Sequence, residues 1–453
     1  MPVTDTSKYR TFLTRCFYDA MSSTTSGMYL AVGRLLSWND EGDPPSPNNA
    51  TQTVDFDVWR DMLAAKQIDT ANTAYVIPRR DWASNTVYTQ YDDTVVNLTS
   101  SNIYVLDTQT LPYRVYKCLW NNNGAGSTVA PSTTGNNITP VTTTDNYVWQ
   151  YMYTITTDQY QFLTDAWMPV STDNSVAVNA NLNAGKLSTA VPLIVTDGGA
   201  HLNPNGSFTI TINGDGNGAT INATTGLSFS SNTVTDVMLS NGGIGYSVAN
   251  VTIAQAGVGT QNAQTRAIIP PYPNHGYDPQ IELGGAAIML TVALQDDELN
   301  QLTTVNDYRR IFLIRNPLDA TGIVANGSFY RQTFDLYLES NTGIFLVDES
   351  IYVSSNTDYP VTATVVDVIA DPEPGIPALV RVTNINDKGR TTAFQVGDYI
   401  SSSTVEGKTG RIQQIDPPEL KPFTGSVLYI DQREAVIREP NQSEEIKLVF
   451  RFD

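Results

Sequence analysis

The spacing of apolar residues predicts two short helices near the start of the chain. A second helix begins near Asp55, where apolar residues share one face and acidic residues occupy the first turn. The Pro-rich segment 39–49 between the two helices is predicted to be a loop. The first helix is predicted to be amphipathic and to pack its apolar face against a larger part of the fold. Its apolar stripe, over about three turns, comprises Tyr9, Phe12, Leu13, Cys16, Phe17, Ala20 and Met21.

After Asp69 the pattern changes to alternation and to short runs rich in Tyr, Val, Ile and Thr, which clusters of Gly, Asn, Asp and Pro separate. Runs of this kind predict β-strands. The predicted fold class is therefore mainly β with a few short helices. The clearest strand candidates are YRVYKCLW at 113–120, YVWQYMYTI at 147–155, AAIMLTVAL at 286–294, RRIFLIRNPL at 309–318 and EEIKLVFRF at 444–452.

Residues 191–270 differ from the rest because they are rich in Gly, Asn and Thr and almost uncharged. They contain an internal repeat in which Gly198 and Gly199 align with Gly242 and Gly243, an offset of 242 − 198 = 44 residues. Two copies are fewer than the three or so that a solenoid requires, so we predict an inserted Gly-rich β-repeat module made of duplicated hairpins. Residues 335–420 contain strands spaced as in a small barrel and are predicted to be a second inserted β module.

The charge of the chain argues against nucleic acid and membranes as partners. Lys+Arg 26 against Asp+Glu 46 gives a formal net charge of −20, and a surface of that sign repels phosphate. No apolar run approaches the roughly 18 residues of a membrane span, and the N-terminus lacks the pattern of a signal peptide. If the protein leaves a cell, we expect it to do so within a particle released by lysis.

The sequence offers little that suits catalysis. Its only histidines, His201 and His275, exclude a three-His metal site, and both are predicted to be solvated surface residues. Its only cysteines, Cys16 and Cys118, lack a CxxC spacing, which favours folding in a reducing compartment. GxSxG, P-loop and GxGxxG motifs are absent. We therefore expect no enzyme activity, no cofactor and no metal.

Two acidic features are candidate sites. NGDGNG at 213–218 is similar to a calcium loop but lacks the downstream bidentate Glu, so a tight turn is the better interpretation. The clusters at 92–93 and 296–298 would make a poor glycosidase pair, because neighbouring residues on a strand point to opposite faces. We predict that these carboxylates are solvated loop residues.

The string VIPRRDW at 76–82 is the most distinctive local motif. Its proline fixes an extended or turn conformation for the preceding residue. The two arginines that follow offer planar forks able to pair with carboxylates, and an Asp and a Trp lie beside them. Two interpretations remain open, a local ion pair and stack within one subunit or a clamp between subunits. Together with the arginine at the edge of the predicted strand RIFLIRNPL, the candidate interface or clamp residues are Arg79, Arg80, Asp81, Trp82 and Arg315.

Six strings in chain order resemble the baseplate wedge subunit of T4-like contractile-tailed bacteriophages, gene product eight. The resemblance covers about half of the chain, mostly 1–185, 286–330 and 420–453. The strings are VGRLLSW at 32–38, AYVIPRRDW at 74–82, YRVYKCLW at 113–120, DNYVWQYMYTI at 145–155, YRRIFLIRNPL at 308–318 and SVLYIDQREAVIREPNQSEEIKLVFRF at 426–452.

The resemblance implies a homodimeric, non-catalytic structural subunit of the virion tail, with other baseplate wedge proteins as partners. It implies two β-sandwich domains, one inserted in the other, assembled in the host cytoplasm into a wedge that rearranges when the tail contracts. The predicted division follows: 1–88, 286–334 and 421–453 form the first sandwich, 89–190 the second, 191–270 the Gly-rich module, 271–285 a linker and 335–420 the barrel-like module.

Two other functions remain open. Gly- and Thr-rich β-repeats with exposed tyrosines also suit a carbohydrate-binding or adhesion module of a virion or cell surface. A hydrolase would require a pair of carboxylates that the sequence does not place.

Overall fold

The computed structural model describes residues 7–22, 27–47, 53–132, 139–258, 260–355, 360–369, 378–390 and 392–452. The predicted mainly β class is confirmed, since strands account for 42% and helices for 12%. The helices are α1 (Ser7–Ser22), α2 (Thr53–Asp61), α3 (Asn174–Leu182) and α4 (Pro279–Glu282), with short 3₁₀ turns at Thr70–Asn72, Leu98–Ser100 and Thr157–Phe162.

The strands are short and follow one another through the whole chain. The first thirteen are β1 (Met28–Gly33), β2 (Met62–Ile68), β3 (Thr73–Pro78), β4 (Tyr104–Asp107), β5 (Arg114–Trp120), β6 (Val141–Thr142), β7 (Val148–Thr154), β8 (Trp167–Pro169), β9 (Ile194–Asp197), β10 (Thr209–Gly214), β11 (Asn217–Thr220), β12 (Leu227–Ser230) and β13 (Thr233–Val237). The others are β14 (Asn241–Ile244), β15 (Ala249–Ala254), β16 (Ala263–Arg266), β17 (Ala287–Gln295), β18 (Asn306–Arg315), β19 (Phe329–Arg331), β20 (Phe334–Thr342), β21 (Ser350–Val353), β22 (Thr362–Ile369), β23 (Ala378–Asn386), β24 (Tyr399–Ser402), β25 (Thr409–Asp416), β26 (Ser426–Arg438) and β27 (Ser443–Arg451).

The chain divides into two compact units. Unit 1 comprises residues 1–16, 74–289 and 449–453, and unit 2 comprises 17–73 and 290–448. The predicted division into two sandwich domains, two inserts and a linker stays a prediction.

Both predicted helices are present, but α1 buries only part of the predicted stripe. Met21 of the stripe is buried, as is the polar Thr14, whereas Tyr9 and Phe12 are 60% and 58% exposed. Thr14 Oγ1 donates to the carbonyl of Arg10 at 2.7 Å, so its hydroxyl is satisfied within the helix and can be buried at little cost. The prediction of one apolar stripe is wrong for Tyr9, Phe12 and Cys16, which are exposed.

Unit 2 contains an antiparallel sheet of strand order β19-β2-β1-β18-β26. β1 lies between β2 and β18, with Ala31 opposite both Ala65 and Phe312. The core on this sheet includes Tyr29, Trp59, Phe312 and other apolar residues. The motif VGRLLSW therefore contributes the end of β1, and RRIFLIRNPL contributes most of the neighbouring β18.

Strands β20 to β25 of unit 2 form a closed barrel of order β20-β23-β22-β21-β24-β25. Closure pairs β20 with both β23 and β25. The interior is filled by side chains such as Leu336, Phe345, Ile351 and Val380, so the barrel is a packed core.

Unit 1 contains the sheet β4-β5-β7-β6, built from the predicted strands YRVYKCLW and YVWQYMYTI. Its core is unusually rich in tyrosine, because alternate positions bury rings on both faces. The hydroxyl of Tyr104 donates to the Pro78 carbonyl at 2.8 Å, and that of Tyr153 to the Pro169 carbonyl at 2.9 Å. Each ring thus contributes apolar area while its polar end is satisfied.

The Gly-rich repeat folds with a local two-fold relation between its copies. β10 pairs antiparallel with β15, and the pairs Thr209↔Ala254 and Ile210↔Ile253 exchange under the 44-residue offset, since 209 + 44 = 253 and 254 − 44 = 210. β11 pairs with β14 from the other copy, and β16 pairs with β9 in the same way. The equivalent positions Gly199 and Gly243 are both left-handed, with φ of 72° and 58°.

The exchanged strand pairs depend on Gly243. A Cβ there would lie 2.3 Å from the Asn217 carbonyl oxygen and 2.5 Å from the Ala219 nitrogen. A left-handed conformation alone costs an L-residue about 1–2 kcal/mol. We therefore predict that Gly243→Ala, which also introduces the close contacts of its Cβ, lowers the free energy of unfolding by more than that.

Gly257→Ala is the matched control, because Gly257 is also left-handed (φ 76°) but a Cβ there meets nothing within 4 Å. Urea unfolding of both variants measures the difference. Equal losses would contradict the importance of the close approach at Gly243.

Candidate functional site

The segment that follows β3 forms a local network. Arg79 Nε and Nη2 donate to the two carboxylate oxygens of Asp81 at 2.8 and 2.9 Å, and Arg79 Nη1 donates to the Thr164 carbonyl at 3.1 Å. The bidentate bond to Asp81 raises the pKa of Arg79. Asp81 is 41% exposed at its side chain, so the pair lies at the surface.

Two further members of the motif, Arg80 and Trp82, contact side chains and carbonyls of other segments of unit 1. The guanidinium of Arg80 lies 4.5 Å from the ring centroid of Tyr104 and donates to the carbonyls of Ser100 and Ser101. Trp82 Nε1 donates to Ser127 Oγ at 3.1 Å. The four residues 79–82 are thus brought together with partners in their own subunit.

The fifth candidate, Arg315, belongs to unit 2. It ends β18, opposite Met28 of β1 and Ser426 of β26, and its side chain is exposed.

The buried arginines of β18 were not predicted as functional residues. Arg310 Nη1 lies 2.5 Å from Asp61 Oδ2, and both side chains are about 5% exposed. Gly33 belongs to the motif VGRLLSW and leaves room for this pair, because a Cβ at that position would lie 2.5 Å from Asp61 Oδ1. Two arginines side by side in an apolar strand were the available signal, since one must point to each face.

The other face of β18 carries a second group. Arg309 Nη2 lies 2.9 Å from Glu41 Oε1, and Arg309 Nη1 lies 2.8 Å from Asp307 Oδ2. Arg34 Nη1 lies 2.7 Å from the other oxygen of Asp307. Hydrogen bonding to Arg309 lowers the pKa of Glu41. This group ties the loop after β1 to β18.

We predict that Arg310→Met lowers the free energy of unfolding by about 3–5 kcal/mol, because it leaves Asp61 buried without its partner. The double change Arg310→Met with Asp61→Leu should recover much of that loss, since neither charge is then buried. Chemical denaturation of both variants measures this.

Arg60→Met is the control, because Arg60 is on α2 beside Asp61, the partner of Arg310. Arg60 and Asp57 are 3.5 Å apart and about half exposed, so this pair should contribute little. An Arg310→Met loss no larger than that of Arg60→Met would contradict the role given to the buried pair.

Unit 1 holds a buried cluster built from β5 and the segment 274–282. Lys117 Nζ lies 2.9 Å from Glu282 Oε2 and 3.2 Å from His275 Nδ1, and it lies 4.3 Å from the ring centroid of Tyr91. Glu282 Oε1 accepts from the Gly276 backbone nitrogen at 2.6 Å. The His275 side chain is 10% exposed, so the prediction of a solvated histidine is wrong for His275. A lone basic position in a buried strand gave no indication of a partner 165 residues away.

The cluster lowers the pKa of both its acid, Glu282, and its base, His275. Lys117 and the neighbouring hydrogen bonds outweigh burial and lower the pKa of Glu282 to about 2. Burial, with Lys117 adding to it, lowers the pKa of His275 to about 4. His275 is therefore neutral at pH 7.

The acidic pair at 92–93 lies in a loop, as predicted, and both carboxylates pair with one arginine. Arg266 lies 2.8 Å from Asp92 and 2.7 Å from Asp93, whose side chains are 17% and 26% exposed. These carboxylates are thus partly exposed and ion-paired rather than freely solvated, because a single guanidinium joins both to β16 of the Gly-rich repeat.

Within the described ranges, no group of three or more His, Cys, Asp or Glu side chains is placed to hold a metal ion. In the same part of the chain, no helix has the length and apolarity needed to cross a membrane.

We predict that acid destabilises the protein through His275. Its pKa falls from 6.5 in the unfolded chain to about 4 in the fold, so between these values the unfolded chain binds the extra proton. The stability is full above pH 6.5 and falls as the pH drops toward 4. Between pH 7 and pH 5 the loss should be about 2 kcal/mol.

His275→Gln should remove most of that pH dependence, and His201→Gln is the control because His201 is exposed. Urea unfolding at pH 7 and pH 5 measures it. Equal pH dependence in the wild-type protein and His275→Gln would contradict the assignment.

The strand pairings and the buried ion pairs define a mainly β protein of several sheets and a barrel. In a comparison with protein families, the model of Phage-Gp8, described as Bacteriophage T4, Gp8, matches residues 3–123. The match confirms the resemblance to gene product eight of T4-like phages. It includes VGRLLSW, AYVIPRRDW and YRVYKCLW, and therefore the candidate residues 79–82. A search of curated proteins gave no match.

Proposed function

We propose that this protein is a structural subunit of the tail baseplate wedge of a T4-like contractile-tailed phage. The observation that carries the proposal is the family match over residues 3–123. Three further strings outside that range, DNYVWQYMYTI, YRRIFLIRNPL and the C-terminal tail, follow in the same order. The mainly β fold of several sheets and a barrel is consistent with a structural subunit.

Exposed aromatic side chains support a role in assembly. Phe56 and Phe423 of unit 2 are 46% and 55% exposed, and their ring centroids are 5.1 Å apart. Tyr272 of unit 1 is 90% exposed. Aromatic residues are enriched where protein subunits meet, so these positions suit contacts with other wedge proteins.

In this proposal the protein acts as a homodimer in the virion tail, is assembled in the host cytoplasm, takes part in the rearrangement on contraction and has no catalytic role. In this proposal residues 79–82, which the surface ion pair Arg79–Asp81 holds together, form a clamp between this subunit and another. The segments 191–270 and 335–420 are modules added to a sandwich frame. Barrel closure between residues 334 and 416 and reciprocal strand pairing in the repeat support that division.

We predict that purified virions contain this chain in stoichiometric copies, in a fixed ratio to the other tail proteins. Quantitative mass spectrometry of particles and of detached baseplates measures the ratio. A chain found only in the host lysate, or in trace amounts that washing removes, would overturn the proposed function.

The dimer is tested separately by light scattering at micromolar concentration, where the expected mass is twice the chain mass of 49.5 kDa. A stable monomer would remove the dimer from the proposal without removing the virion role.

A further inference from the structure

Unit 2 has an open pocket at its surface, between α2 and the segment that leads into β26. Its volume is about 220 Å³. Half of the lining residues are aromatic, and the two phenyl rings among them are about half exposed, whereas the Trp is 6% exposed and belongs to the core beneath. The lining residues are Asp55, Phe56, Trp59, Phe423, Gly425 and Val427.

The rings of Phe56 and Phe423 lie against each other in this pocket. Their centroids are 5.1 Å apart and their planes are inclined by 61°, an edge-to-face arrangement. The negative potential of an aromatic ring lies over its face, so a cation within about 6 Å of the ring centroid is attracted to it. A pocket lined by two accessible rings and a third aromatic residue therefore favours a cationic group.

The same pocket includes a carboxylate that has no counter-ion within the described ranges. Asp55 is exposed and stands in the first turn of α2, whereas Asp57 of the same helix lies 3.5 Å from Arg60. No Lys or Arg is among the lining residues, and the chain carries a formal net charge of −20. The charge at the pocket is thus complementary to a basic group and unfavourable to an acidic one.

The backbone of Phe423 is strained. Its φ is 63°, in the left-handed region that residues with a Cβ adopt only at a cost in free energy. The side chain is 55% exposed, so burial within this chain offsets only part of that cost. An exposed aromatic residue held in such a conformation indicates a role in binding rather than in the core.

We propose that this pocket binds the side chain of a lysine or arginine on a partner protein. The charged group lies against the rings of Phe56 and Phe423 and beside the carboxylate of Asp55, and the methylene groups of the same side chain cover apolar surface. The inference rests on the proposed structural role, because it names the chemistry by which a neighbouring subunit is held. A second copy of this chain and a purely apolar segment are the other occupants that the test distinguishes.

The test is saturation-transfer NMR on the full chain with blocked pentapeptides that carry arginine, lysine, norleucine or glutamate between two pairs of glycines. Norleucine keeps the unbranched hydrocarbon chain of lysine but lacks its charge. At about 5 mM peptide, a concentration suited to the contacts of one side chain, the arginine and lysine peptides should bind at least about threefold more tightly than the norleucine peptide. Absence of transfer to both basic peptides, or equal or tighter binding of the norleucine or glutamate peptide, would overturn the proposal.

Asp55→Asn and Asp57→Asn form a matched pair of variants, since they remove the same charge from the same helix and only Asp55 lines the pocket. Asp55→Asn should weaken binding of the arginine peptide at least about twofold, the range of one exposed charge pair. Asp57→Asn should leave it nearly unchanged. Equal losses in the two variants would indicate a general effect of net charge and would overturn the site.

Phe423→Asn separates a role in binding from a role in folding, because asparagine tolerates the left-handed region. We expect its melting temperature to stay close to that of the wild-type protein, since relief of strain offsets the lost ring contact. The preference for the arginine peptide over the norleucine peptide should disappear. A preference that the folded variant retains would overturn the proposal.

Light scattering of Phe423→Asn tests whether a second copy fills the pocket. The variant should have the same mass as the wild-type protein. Conversion of a wild-type dimer into a monomer would identify the occupant as a second copy and overturn the proposal. Peptide binding does not depend on the presence of the chain in virions, so failure of the pocket and failure of the proposed structural role are distinguishable.

Discussion

A buried charge must be paired, and β18 places two arginines side by side in an apolar strand. Because neighbouring side chains point to opposite faces, Arg309 and Arg310 need separate partners on the two sides of the sheet. Asp61 at the end of α2 meets one, and Glu41 with Asp307 meets the other. The loop after β1 and the end of α2 are in this way fixed to a strand 249 residues away from Asp61.

The same solution recurs where the five-stranded sheet continues into the barrel. Asp335 of β20 lies 2.9 Å from Arg331 of β19 and 3.2 Å from Arg381 of β23. Arg381 also donates to the Asn300 carbonyl at 2.6 Å. A carboxylate between two arginines, each with further acceptors, joins the two substructures of unit 2 without leaving a lone charge in the interior.

Local patterns in the sequence predicted the first two helices and the clearest strands, but not α3, α4 or the contacts between elements. Alternation identified β5, β7 and β18, and acidic residues in the first turn placed α2 near Asp55. From the sequence, Lys117 could be recognised only as a polar residue in a buried strand. Its partners Glu282 and His275 come from segment 271–285, which was interpreted as a linker. The candidate residues 79–82 lie together because they are adjacent in the chain, but their contacts with Thr164 and Ser127 come from distant segments.

The Gly-rich repeat has a consequence for how such modules can grow. Thr220↔Asn241 and Gln264↔Asp197 are the same contact made twice, since 264 − 220 = 44 and 241 − 197 = 44. Each copy therefore lends its last strand to the first strand of the other, as two subunits do in a domain-swapped dimer. Without the second copy, β9, β10 and β11 would each lose the strand with which they pair. Strand pairing of this kind favours the gain or loss of the two copies together, because each copy completes the sheets of the other.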